Sequence, residues 1–100
     1  MGEVTDIWSF LERARDDPRI GPLHISLYVS IYYCWLRQGG GPVNCSAREL
    51  MPLAKSGGGT PFYRRLQQLH KYGYIVYEPS FNPEIKSRVL LLLEREKEER

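Results

Sequence analysis

The spacing of apolar residues predicts two helices in the first part of the chain. The first is indicated by four residues spaced i, i+3, i+4 and i+7, namely Val4, Ile7, Trp8 and Leu11. We expect it to cover residues 4–15 and to end before Pro18, because a proline disfavours helical geometry in the residue that precedes it. Residues 22–36 are apolar on nearly every side. A run of this length indicates a buried helix, although its β-branched and aromatic residues would also suit a strand.

A third helix is predicted by a capping signal in the middle of the chain. Three glycines at positions 39–41 should end the second helix, and residues 42–45 are expected to form a short strand or an extended link. Ser46 and Glu49 have the spacing of a capping box, in which the serine oxygen accepts the amide proton of Glu49 and the Glu49 carboxylate accepts that of Ser46. This spacing predicts a helix over residues 47–55, shortened or distorted by Pro52.

A turn, a fourth helix and two strands are predicted in the second half. The glycines at 57–59 should allow a tight reversal, because glycine adopts positive φ at little cost. Thr60 is then the expected N-cap of a helix that reaches about residue 72, with Pro61 at its first position and Gly73 as a left-handed stop. Alternation and composition predict a strand over 74–77. A turn-rich segment over 79–86 follows, and a second strand is expected over 88–93, although its four consecutive leucines do not alternate.

These elements define an α+β fold that is mainly helical, with a C-terminal β-hairpin and an extra N-terminal helix. One hundred residues suit a single small domain. We divide the chain into an N-terminal helix over 1–17, the domain proper over 18–93 and a charged tail over 94–100. The net charge is +2, but residues 18–93 carry nine Lys/Arg against three acids, whereas both ends are acidic. A basic central region favours a polyanionic partner.

Several classes of protein are excluded by the sequence. The longest apolar-leaning run has 14 residues and contains His24, which is too short and too polar for a membrane span. The acidic start lacks the basic region of a signal peptide, so we expect a cytoplasmic protein. Cys34 and Cys45 are too few for a disulfide framework, and the Cys and His residues are too scattered for a metal site, so no cofactor is expected. His24 and His70 have no acid or serine at the spacing of a catalytic base or triad, which argues against an enzyme.

The fourth predicted helix carries side chains suited to DNA. At about 100° per residue, one side of it holds Phe62, Leu66 and Leu69. The opposite side holds two cations and two amides, namely Arg64, Gln67, Gln68 and Lys71. Arginine can bind guanine with two donors and glutamine can match adenine, whereas lysine and Thr60 at the helix start suit phosphates. The alternative is a solvated helix face with no partner. In the hairpin, Lys86 and Arg88 either touch a flanking phosphate or belong to a plain surface loop.

A resemblance to a known family rests on the same region. The segment 60–75, TPFYRRLQQLHKYGYI, followed at 77–83 by YEPSFNP, resembles winged helix–turn–helix bacterial regulators, in particular small ones carried on mobile genetic elements. The resemblance covers roughly residues 23–93. It implies a winged-helix fold and sequence-specific binding of double-stranded DNA by a transcriptional regulator or accessory factor. It also maps the contacts to Thr60, Tyr63, Arg64, Gln67 and Lys86.

Two alternatives concern protein partners. A winged helix can serve as a protein–protein interaction module, because a fold does not fix a function. The acidic N-terminal helix and the modest net charge favour this alternative. Within that helix, Trp8 and Phe10 either pack in the core, which is the favoured interpretation, or form a surface through which two copies of the chain make a homodimer.

Overall fold

A computed structural model describes residues 2–44, 46–79 and 88–91, and for residues 2–6 it describes the backbone only. Four helices precede two strands: α1 (Gly2–Arg15), α2 (Pro22–Arg37), α3 (Ala47–Ala54), α4 (Gly59–Lys71), β1 (Ile75–Glu78) and β2 (Arg88–Leu91). The α+β class is thereby confirmed, and the helices and the first strand lie within two residues of their predicted limits. All of the predicted turn-rich segment over 79–86 except Pro79, the end of the second strand and the charged tail lie outside the described residues.

Helix α2 lies at the centre of the fold and packs against α1, α3 and α4. It begins with Pro22, whose missing N–H has no intrahelical partner to lose at that position. Leu27 and Ile31 are fully buried. The strand alternative for residues 22–36 is therefore wrong, because three neighbouring helices cover different sides of this run. Glycines 39–41, all with positive φ, follow the helix as predicted.

Helix α1 belongs to the same hydrophobic core. The ring of Phe10 is 3% exposed; it stacks on Tyr28 with 3.7 Å between centroids and meets Tyr74 edge-on at 5.4 Å. Trp8, two residues earlier, is 63% exposed. The two aromatic residues that the sequence groups together thus lie in opposite environments, with Phe10 in the core and Trp8 on the surface.

The sheet consists of two antiparallel strands and one residue of the link between α2 and α3. Ile75 pairs with Leu91 and Tyr77 pairs with Val89. The Val43 N–H donates to the Val89 carbonyl at 2.8 Å, and the Val89 N–H donates back at 3.0 Å. The extended geometry predicted for the link is confirmed at Val43, which joins the helical layer to β2.

Two local signals are confirmed at the ends of α3 and α4. The Ser46 N–H donates to the Glu49 carboxylate at 3.0 Å, which is one of the two predicted bonds of the capping box, whereas the Glu49 N–H donates to the Ser46 backbone carbonyl at 3.0 Å. Gly73, which follows the C-cap Tyr72 of α4, has a φ of +89°, a conformation that costs an L-residue about 1–2 kcal/mol. Pro52 lies inside α3, which spans eight residues and ends at Ala54.

The turn between α3 and α4 differs from the prediction. Lys55 adopts the left-handed conformation, with φ 62° and ψ 33°, and none of the glycines at 57–59 has a positive φ. The physical reason is that the Ser56 N–H donates to a carbonyl in the last turn of α3 at 3.0 Å, so the chain reverses before it reaches the glycines. Helix α4 then begins at Gly59 with a glycine as its N-cap, and Thr60 lies inside the first turn instead of capping it.

Candidate nucleic-acid interface

Helix α4 has one buried and one open side, as its sequence predicts. Phe62, Leu66 and Leu69 are buried against the rest of the domain. Five of the candidate residues on α4 are exposed: Thr60, Tyr63, Arg64, Gln67 and Lys71. We call these five the open row of α4. Their placement follows from the helical period, because anchoring the apolar side in the core leaves the opposite side in solvent.

The first half of α4 forms a shallow, open depression of about 550 Å³, lined by Gly59, Thr60, Tyr63, Arg64 and Gln67. The Tyr63 ring meets the buried Phe62 ring edge-on at 4.9 Å between centroids, which restricts its orientation. A guanidinium, a side-chain amide and two hydroxyls supply the polar groups of the depression. None of its lining residues is acidic, so the depression offers hydrogen-bond donors without a competing carboxylate.

The two cations of the open row have no acidic partner within the described parts of the chain. The ion pairs found there join Arg15 to Asp16, Arg19 to Asp17, and Arg88 to Glu78. Neither Arg64 nor Lys71 takes part in one. A charge that is not already paired retains its full attraction for an external anion.

Gln68 does not belong to the open row, and its predicted position on the exposed side is wrong. Its side chain is half-buried, and its Oε1 accepts a hydrogen bond from His24 Nε2 at 2.7 Å and one from Arg65 Nη1 at 3.3 Å. The helical period places Gln68 at the border of the open side, and α2 then covers that border. An acceptor engaged in this way is not available to an adenine.

The structure weakens the case for DNA contacts from the hairpin. Arg88 is exposed, but its guanidinium donates twice to the same Glu78 oxygen, from Nε at 3.1 Å and from Nη2 at 2.8 Å. The two residues face each other across the strand pair, a register that the sequence does not show. Lys86 lies outside the described residues. The charge of Arg88 is therefore already balanced by Glu78, which weakens its case as a phosphate contact.

The side chain of His24 has a structural role that the sequence did not indicate. It is 4% exposed, and its Nδ1 accepts the Gly21 N–H at 2.9 Å. Nδ1 must therefore be unprotonated, so that the neutral ring carries its proton on Nε2 and donates it to Gln68. Burial lowers the pKa of His24 below its ordinary value, and the charge of Arg65 acts in the same direction. The i, i+3 spacing of Gly21 and His24 at a helix start is the signal that would have indicated this contact.

The loop between α1 and α2 is held against the C-terminal end of α4. The Tyr74 hydroxyl donates to Asp17 at 2.8 Å, and the Arg19 guanidinium donates to both oxygens of that carboxylate at 2.9 and 2.8 Å. The Arg19 guanidinium also lies over the Tyr72 ring, 4.1 Å from its centroid. Burial and the contact with Asp17 raise the pKa of Tyr74 to about 12, while Arg19 lowers that of Asp17. These contacts fix the end of α4 on the body of the domain.

His70 has a structural contact that sets it apart from the open row. The Tyr77 N–H donates to His70 Nδ1 at 3.1 Å. Because Val89, the partner of Tyr77, directs its own backbone bonds to Val43, the Tyr77 amide faces the outer edge of β1. His70 therefore satisfies an edge amide that would otherwise offer a place for another strand.

Neither a metal centre nor a membrane span emerges from the described residues. No three of their His, Cys, Asp and Glu side chains are grouped as a metal ion requires, and none of their helices has the length and hydropathy to cross a bilayer. In comparisons with known proteins, no family model, curated protein or solved structure gave a match.

Proposed function

We propose that this chain is a winged helix–turn–helix protein that binds double-stranded DNA in a sequence-specific manner through the open row of α4. The supporting observation is that Arg64 and Lys71 are exposed on one side of a well-anchored helix and have no acidic partner among the described residues. We infer a regulator or accessory factor that acts in the cytoplasm and without catalysis.

The dimensions of α4 suit the major groove. Its 13 residues correspond to about 20 Å at about 1.5 Å per residue, and a helix of about 10–12 Å diameter fits a groove about 12 Å wide. Arg64 and Lys71 are separated by about 10 Å along the axis, roughly three base-pair steps. Gln67 lies between them on the same side. The row therefore offers one bidentate guanine donor, one adenine-matching amide and one phosphate cation within a single groove.

The order of the elements supports this assignment. In the winged-helix interpretation α3, the turn and α4 form the helix–turn–helix, and the strands β1 and β2 form the base of the wing. Val43, bridged to Val89, occupies the place of a short first strand. The hydrophobic side of α4, anchored by Phe62, Leu66 and Leu69, holds the helix rigidly against this scaffold.

The test is binding of duplexes selected from a random library, followed by fluorescence anisotropy at several salt concentrations. About five phosphate contacts should give a slope of log affinity against log salt of about −4.5. Arg64→Ala should weaken the binding of the selected duplex by about 1–3 kcal/mol. Arg37→Ala is the matched control, since Arg37 lies at the far end of α2, about 20 Å along the axis from His24. No binding at low salt, or equal losses for the two variants, would contradict the proposal.

A protein-interaction module is the second candidate, because apolar side chains are exposed away from α4. Val29, Tyr33 and Leu36 are exposed at the spacing i, i+4 and i+7 and so share one side of α2. Trp8 and Leu11 are exposed on α1. Aromatic residues such as Tyr33 and Trp8 are enriched in the centres of protein interfaces. Under this alternative the chain fails to bind any duplex, and its self-association or partner binding is lost when Tyr33 is replaced by glutamate.

A further inference from the structure

A second concave site lies beside the open row, where the loop after α1 approaches α4. It is a cavity of about 340 Å³ lined by residues 18–19 of the loop, residues 21–24 in and before the first turn of α2, and Arg65 and Gln68 of α4. Three separate segments of the chain meet here, so the cavity exists only in the folded domain. Its volume lies at the lower end of the range for small-molecule pockets.

The side-chain acceptors around this cavity are already occupied. Gln68 Oε1 accepts from His24 and Arg65, and His24 Nδ1 accepts from Gly21. The nearby Asp17 carboxylate accepts from Arg19 and from the Tyr74 hydroxyl. A ligand with hydrogen-bond donors would find no acceptor among these side chains without breaking an existing bond.

Several hydrogen-bond donors around the cavity, in contrast, have no acceptor among the described residues. Because Gln68 Oε1 is held by His24, the Gln68 NH₂ group takes the opposite position, and no acceptor for it is found among the described residues. Arg65 uses one N–H in a 3.3 Å bond to Gln68, and no carboxylate of the described chain lies within 4 Å of its guanidinium. Leu23 and His24 add amides of the first helical turn, which lack intrahelical partners. Unpaired donors therefore surround the cavity.

The site is also pre-organised. The Arg19 guanidinium is fixed on one side by Asp17 and on its face by the Tyr72 ring at 4.1 Å. Its charge is balanced by Asp17, whereas the charge of Arg65 is not, so the cavity as a whole attracts a negative group. Fixing the donors before binding lowers the entropy that a ligand must overcome.

We propose that this cavity is an anion site that takes a phosphate group, and that in the complex with DNA a backbone phosphate beside the groove supplies it. The assignment of a DNA phosphate as the ligand rests on the proposed function. Gln68 is four residues from Arg64 and three from Lys71, so the cavity adjoins the open row on the surface of α4. A duplex placed on the open row brings one of its strands towards this side of the helix. Contacts of this kind fix the register of a protein on DNA.

The first experiment uses the full chain without DNA. Inorganic phosphate is titrated at constant ionic strength against chloride and followed by two-dimensional NMR. The expected result is a saturable shift of the Gln68 side-chain amide and of the Leu23 and His24 backbone amides. Gln68→Glu keeps an oxygen for His24 but replaces the unpaired NH₂ by a second carboxylate oxygen. It should therefore abolish the shifts of the Leu23 and His24 backbone amides while the fold, checked by circular dichroism, persists. Shifts spread over all surface cations, or equal shifts with chloride, would overturn the anion site.

The second experiment compares the salt dependence of duplex binding in two variants with the same loss of charge. Arg65→Met should reduce the magnitude of the slope by about 0.9, the value for one phosphate contact, whereas Arg37→Met should leave it unchanged. If the slope for Arg65→Met is unaltered, DNA does not supply the phosphate group that binds in the cavity. If no duplex binds but phosphate still shifts the signal of the Gln68 side-chain amide, the proposed function is wrong. The anion site is then supported, with a free phosphate compound as its ligand.

Discussion

Replacing Phe10 by alanine should destabilise the entire domain, because this side chain joins α1 to the core. Its ring is 3% exposed, lies nearly parallel to Tyr28 at 3.7 Å and meets Tyr74 edge-on. Truncation of a buried phenylalanine costs about 3–5 kcal/mol through lost burial and the cavity that remains. The two aromatic contacts, each about 0.5–1.5 kcal/mol beyond the buried area, place Phe10 in the upper part of this range.

Two companion variants make the measurement decisive. A small domain is stable by about 5–15 kcal/mol, so Phe10→Ala removes about a third of the stability at the upper end of this range and most of it at the lower end. Phe10→Leu retains most of the apolar volume and loses both ring contacts, and we expect a loss of about 1–2 kcal/mol. Trp8→Ala is the control from the same helix. Because its side chain is 63% exposed, its effect should be below about 0.5 kcal/mol.

The free energy of unfolding is measured by urea denaturation followed by far-ultraviolet circular dichroism. For Phe10→Leu the melting temperature should fall by about 4–8 °C for each kcal/mol lost. Equal losses for Phe10→Leu and Trp8→Ala would refute the assignment of Phe10 to the core and Trp8 to the surface. A loss in Trp8→Ala that appears only at high protein concentration would instead indicate a dimer through α1.

Two further predictions concern the turns and the buried histidine. Gly73→Ala should lower the free energy of unfolding by about 1–2 kcal/mol, because φ is +89° at this position. Gly57→Ala should raise it by about 0.4–1 kcal/mol, because φ is not positive there and an added Cβ meets no atom within 4 Å. Thermal melts of both variants check these values, and a loss of stability in Gly57→Ala would contradict the turn geometry. His24 has a pKa below 6.5 in the folded state, so the unfolded chain binds the proton first and the free energy of unfolding should fall by up to about 1.4 kcal/mol per unit as the pH drops below 6.5. Urea titrations between that pH and the carboxylate range should show this slope, and His24→Gln should remove it.

The local elements were predictable because their signals lie within a few residues of one another. The capping box of Ser46 and Glu49 and the left-handed stop at Gly73 are contacts of neighbours in sequence. The open row of α4 follows from a single fact, that Phe62, Leu66 and Leu69 face the core. The turn before α4 was missed because Lys55, which has no glycine signal, takes the left-handed position.

The unpredicted parts of the candidate site depend on residues distant in sequence. Gln68 is half-buried because its side chain is hydrogen-bonded to His24, 44 positions away in the sequence. The cavity beside Gln68 is also lined by Arg19, which comes from a third segment of the chain. Arg88 is paired with Glu78 through the register of two strands. A pattern of residue types cannot show which of several donors and acceptors meet, because many pairings are compatible with the same spacing.

The amino-acid sequence by itself determined the positions of the helices and of β1 to within two residues and which side of α4 meets the core, since periodicity and most end signals are local properties. The tertiary structure alone decided which polar groups remain unpaired on the surface. That outcome depends on how α2, α4 and the loop after α1 pack together, and packing brings donors and acceptors within 3 Å of each other regardless of their separation along the chain.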